Sequence, residues 1–118
     1  MNTYRRLSRI TICLLAIFHI VTSVQADESS AKETEFLAVL RSDAPAAEKA
    51  LACKSLAIYG SAAAVPELAK LLPEPQLSSW ARIALEVIPG EESDKALRDA
   101  AGSLEGRLLV GVINSIGV

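Results

Sequence analysis

The sequence predicts an all-α chain, an α-solenoid of antiparallel helix pairs with about two and a half repeats. Three observations predict it. A helical block recurs: Leu51–Gly60 reads LACKSLAIYG, Trp80–Pro89 reads WARIALEVIP and Leu108–Gly117 reads LLVGVINSIG. The blocks end at Gly60, Pro89 and Gly117, a nearly constant step of about thirty residues, within the range of helical repeats. Within each block the apolar residues fall at helical spacing, so one repeat cannot bury its own apolar face and must stack on a neighbour. Finally, no alternating β-branched run and no Asn-Gly hairpin signal occurs, which argues against a sheet.

Residues 1–26 read as a secretory signal peptide rather than as fold. Arg5, Arg6 and Arg9 precede an apolar stretch, Ile10–Val24, and Val24-Gln25-Ala26 places small residues before a polar Asp27. The apolar stretch is about fifteen residues, short of the roughly 20 that span a bilayer. Cleavage after Ala26 and a secreted or periplasmic location are expected, with an uncleaved membrane anchor as the rival. Cleavage would remove three of 12 basic residues and none of 14 acidic ones, taking the formal net charge from −2 to −5. That balance disfavours nucleic acid, whose binding rests on Lys and Arg neutralising phosphates.

Residues 27–34 (DESSAKET) are polar and charged and read as a flexible lead-in; 35–118 is the expected repeat domain. Phe36, Leu37 and Leu40 predict a short helix over 35–41. Asp43 is placed to cap the next helix, with Pro45 in its first turn. That helix spans 46–59, with Ala52, Cys53, Leu56 and Tyr59 on one face. Gly60 ends it and Ser61 starts a helix over 62–72, with Val65, Leu68, Leu71 and Leu72 as its stripe and Pro66 near its start. Pro73 and Pro75 close the repeat.

The second unit repeats this plan. A helix over 76–88 carries Leu77, Trp80, Ala81, Ala84, Leu85 and Ile88 on one side, with Ile83 and Val87 adding apolar surface elsewhere, a pattern that predicts burial between neighbours. Pro89-Gly90 breaks it. The partner helix spans 91–101, and Leu97 follows Leu68 by the same step that separates Pro89 from Gly60. Gly102-Ser103 turns the chain into a last helix over 104–117, with Leu104, Leu108, Leu109, Val112 and Ile116.

These residues resemble HEAT-like repeats of the short, phycobiliprotein-lyase type. The resemblance rests on Leu-Ala-x-Tyr-Gly at 56–60, Ala-Val-Pro-Glu-Leu-Ala-Lys-Leu-Leu at 64–72 and Trp-Ala-Arg-Ile-Ala-Leu-Glu-Val-Ile at 80–88, and covers residues 46–117. The second repeat departs from the pattern where Asp94-Lys95-Ala96 replaces the Ala-Val-Pro form. The resemblance implies an armadillo-type superhelix used mainly as a binding scaffold, as in repeat segments of larger exported bacterial proteins. It also implies a rival, a lyase or ligand-transfer accessory role.

The chemical inventory is thin. Without the leader the chain has no histidine and one cysteine, Cys53. No Ser-His-Asp or Cys-His arrangement can then be built, and a zinc site lacks ligands. No GxGxxG, P-loop or HExxH occurs. No catalytic residue, cofactor or metal is therefore expected, and the chain is expected not to be an enzyme. Cys53 reads as a small core residue, against a reactive or intermolecularly bonded thiol. Trp80 reads as core, against a ligand-stacking role. Arg82 with Glu86 reads as a solvated i,i+4 pair, against Arg82 capping carbonyls between repeats. Glu91, Glu92 and Asp94 lack a calcium loop and read as a solvated helix start.

The expected function is an exported non-catalytic scaffold for protein–protein interaction, with a protein or peptide partner, no nucleic acid, and no membrane once the leader is gone. The partner-binding face is expected on the partner helices at Glu67, Lys70, Lys95, Arg98 and Asp99. An exposed apolar edge is expected at Leu108, Leu109, Val112 and Ile116, inviting self-association or coverage by further repeats. The chain then reads as the N-terminal piece of a longer protein, with a truncated reading frame as the alternative.

Overall fold

The computed structural model describes residues 25–117. The expected signal peptide lies outside the described residues, except for Gln25 and Ala26, which are helical. Among the described residues there are six α-helices and no strand. They are α1 over 25–41, α2 Ala46–Tyr59, α3 Val65–Ala69, α4 Ser78–Val87, α5 Glu91–Ala101 and α6 Gly106–Ile116. None is long and apolar enough to cross a membrane.

Helix α1 differs from the expectation, because residues 27–34 are helical rather than a flexible lead-in. No Gly or Pro interrupts 25–41. The polar segment is tied down by partners distant in sequence. The Glu33 carboxylate accepts from the backbone N–H of Ser61 at 2.6 Å and from its hydroxyl at 2.9 Å. Lys32 sits 4.8 Å above the Tyr59 ring, Phe36 stacks on that ring at 6.3 Å, and Lys32 also pairs with Glu28 at 2.7 Å. Leu37 and Leu40 enter the core.

Local chemistry explains most other boundaries. Ser42, rather than Asp43, makes the α1–α2 turn: its hydroxyl donates to the Val39 carbonyl and accepts from the Ala44 N–H. Pro45 is the N-cap of α2 rather than a first-turn residue, and no side chain caps that end. Gly60 closes α2 with its N–H on the Leu56 carbonyl at 2.8 Å. A Cβ there would run into that carbonyl oxygen, so the chain reversal needs glycine.

The single helix expected over 62–72 is instead a 3-10 turn, Ala62–Ala64, followed by the five-residue α3. Ser61 caps the turn by accepting from the Ala63 N–H. Pro66 lacks a donor and Pro73 cannot extend a helix, so the backbone tightens to i→i+3 bonds at Leu71 and Leu72. The stripe is nonetheless buried, with Leu68 and Leu72 at most 1% exposed.

Gly90, at φ +124°, turns α4 into α5, a backbone region that disfavours any side chain. Glu91, Glu92 and Asp94 occupy the first turn of α5 and Arg98 its last, complementing the helix dipole. Helix α6 starts at Gly106 rather than 104.

Neighbour relations fall into two rows. Helix α2 packs on α4 and α4 on α6; α3 packs on α5. Helix α4 also touches α3 and α5, and α5 touches α6. The common core holds Leu56, Leu68, Leu72, Leu85, Leu97 and Val112 between the rows.

Candidate functional site

The expected polar face divides into separate pieces. Glu67, only 13% exposed, accepts from Arg41 at 3.1 Å and from Lys70 at 3.0 Å, so it ties the end of α1 to α3. Lys95 and Asp99 pair along α5 at 2.5 Å. These two also rim a groove of about 380 Å³ between α3 and α5, floored by Val65, Leu72 and Ala100. Glu67, Lys70 and Arg98 do not line it. Arg98 lies with Glu91, Glu92 and Lys95 at a smaller depression of about 280 Å³.

Hydrogen bonds from Lys70 and then Arg41 hold the Glu67 carboxyl below the ordinary carboxylate range. A depressed folded-state value means stability that is present above the unfolded value and lost as pH falls through the folded one. Glu67→Gln should therefore lower the melting temperature near about pH 6, and the gap should shrink progressively as the pH falls below the ordinary carboxylate value of about 4.3. A gap that stays constant across that range, in thermal melts followed by circular dichroism, would contradict this role. The cations are well exposed, so the effect is small.

Cys53 is fully buried on α2, and burial pushes its thiol up to about 11. Almost no thiolate exists at neutral pH, so the side chain behaves as a small apolar filler beside Leu56. Among the described residues no cluster of His, Cys, Asp or Glu could hold a metal ion.

Arg82 does not form the expected pair with Glu86. Its guanidinium reaches α6, donating to the Gly111 carbonyl at 2.8 Å and to the Ser115 hydroxyl at 3.0 Å. The residue bridged, Gly111, lies 29 positions on. The contact depends on a missing side chain, since a Cβ at Gly111 would lie 2.9 Å from the Arg82 Cζ and Nε atoms. The capping alternative for Arg82 therefore describes the contact.

Expectations for the large apolar residues need correction. Trp80, expected in the core, is 40% exposed. Ile83 and Val87, expected to be buried between neighbours, are 48% and 55% exposed. Val112, expected at an exposed edge, is fully buried, and Leu108 and Leu109 are half-buried. Helix α6 turns Val112 inward and leaves Val110, Ile113 and Ile116 outside. Of the four residues expected at that edge, only Ile116 is exposed.

The exposed large hydrophobics share one placement. Leu51 and Ile58 lie on α2; Trp80, Ile83 and Val87 on α4; Val110, Ile113 and Ile116 on α6. Among the described residues none lies on α1, α3 or α5. The interval that separates Arg82 from Gly111 also separates Leu51 from Trp80, Ile58 from Val87 and Val87 from Ile116. Ile83 and Ile113 are one position further apart. Each row helix thus carries a second apolar face besides its core face, at a nearly constant step. Helix α4 contacts both α2 and α6, so the three faces belong to neighbouring helices. Exposed large apolar residues gathered in this way mark an interaction site or an aggregation liability. The sequence did signal it: one repeat step relates Trp80 to Leu51, and Leu51 lies off the Ala52, Cys53, Leu56 face.

No protein-family model, curated protein or solved structure matches the chain.

Proposed function

We propose that this chain is an α-solenoid of about two and a half HEAT-like repeats, serving as an exported, non-catalytic scaffold for protein–protein interaction. The observation that carries the reading is the apolar row. Large apolar side chains are concentrated on the outer side of α2, α4 and α6, where folding does not use them. Support for the repeat comes from the alternating neighbours and from the Arg82–Gly111 contact, which spans one repeat length. Support for export comes from the basic, then apolar, then small-residue order of the leader.

The interaction surface is the row rather than the charged partner helices, because Glu67, Lys70, Lys95 and Asp99 already pair among themselves or with Arg41. Exposed ion pairs of that kind contribute little net binding energy, whereas desolvated large side chains dominate interfaces. The test is partner retention by the immobilised chain in the exported fraction, where its N-terminus should be Asp27. Retention should disappear in Ile58→Glu/Val87→Glu and survive Lys70→Glu/Lys95→Glu. The opposite pattern would move the surface to α3 and α5 and refute the reading.

A further inference from the structure

We propose that the apolar row is a docking surface for a second copy of this chain, an inference that rests on the scaffold reading above. Three observations select that occupant.

The first is size. Eight large apolar residues, between 40% and 72% exposed, lie on three neighbouring helices, more than the few hundred Å² of apolar patch that a monomer ordinarily leaves to solvent. With the polar rim around them, a patch of that scale is on the order of the ~800 Å² per partner of a standard stable interface.

The second is charge. The exposed charged residues beside the row helices' apolar faces are Glu48 and Lys54 on α2, Glu86 on α4 and Arg107 on α6. Their signs cancel. A lipid surface or a strongly charged partner would select an excess of one sign, whereas a surface that meets itself needs balance.

The third is the repeat. In the antiparallel repeat proposed above, successive helices reverse direction, so α2, α4 and α6 run the same way. A two-fold axis parallel to α4 then sets α2 of one copy on α6 of the other, and α4 on itself. Leu51 and Ile58 meet Val110 and Ile116, residues that already occupy matching register. Ile83 meets its own counterpart near the axis. Glu48, in the first turn of α2, comes opposite Arg107, in the first turn of α6. Such an isologous contact is self-complementary and closed, so it stops at the dimer.

Sedimentation equilibrium of the full chain over about 1–100 µM should report a dimer. Ile83→Glu/Val87→Glu should weaken it by on the order of 100-fold, since each copy would bury unpaired carboxylates. Both positions are about half exposed, so far-UV circular dichroism of this variant should be unchanged. In a Cys13→Ser background, Ile83→Cys should give a disulfide-linked dimer on mild oxidation, while buried Cys53 stays free. A dimer indifferent to the glutamates, or one that Ile83→Cys fails to cross-link, overturns the proposal. A monomer at the highest concentration that binds a hydrophobic dye at the row also overturns it, leaving the surface to another partner. A monomer that binds no dye overturns the scaffold reading as well.

Discussion

Truncating Leu85 to alanine is expected to cost about 2–5 kcal/mol, whereas truncating Ile83, on the same helix, costs about 1 kcal/mol or less. Leu85 is 1% exposed in the core between the rows, and its removal leaves a cavity among residues that cannot all collapse into it. Ile83 is 48% exposed, so much of its surface already meets water, and alanine recovers some helix propensity. Urea denaturation at a single low protein concentration gives both values without a contribution from association. Equal costs would mean that α4 is buried all round, as its composition suggests, and the apolar row would lose its basis.

The second large effect is a reversal of sign at Gly111. An alanine in a helix interior ordinarily gains about 1 kcal/mol over glycine. Here its Cβ would enter the space of the Arg82 guanidinium, held by hydrogen bonds of 2.8 and 3.0 Å. Gly111→Ala should therefore destabilise the chain by about 0.5–2 kcal/mol, the loss of the displaced group's charge-assisted bonds less the gain in helix propensity. Arg82→Ala alone should cost about 1.5–3 kcal/mol. In the Arg82→Ala background the clash is gone, and Gly111→Ala should become stabilising by up to about 1 kcal/mol. The double-mutant cycle measures this directly, and additive single effects would show that the arginine does not bridge α4 and α6.

Proline and glycine made much of the helical plan legible. Gly60 interrupts the pattern where α2 ends and the Pro89-Gly90 pair where α5 begins, so those two boundaries can be read from them. The limits of α3 were harder, because Pro66 and Pro73 leave enough apolar spacing to resemble a longer helix while removing the donors that one needs. Residues 27–34 were opaque for another reason. Their order comes from Glu33 reaching Ser61 and Lys32 reaching Tyr59, contacts between distant parts of the sequence that no local composition reveals. An aromatic at helical spacing reads as core, yet Trp80 is 40% exposed. Its periodic relation to Leu51 carried the better signal, since apolar residues one repeat apart occupy the same side of neighbouring helices. Spacing alone places the charged residues of α5 and of the α3 segment on a surface, but the pairing of Glu67 with Arg41 joins positions far apart in the sequence, which local spacing does not reveal.

The lone thiol on α2 also makes the molecule a clock. Cys53 meets solvent only when the core around Leu56 opens, so its reaction with an added thiol reagent reports that opening. Where reclosing outpaces the reagent, the labelling rate scales with reagent concentration and measures the population of the open state; at saturating reagent it measures the opening rate itself.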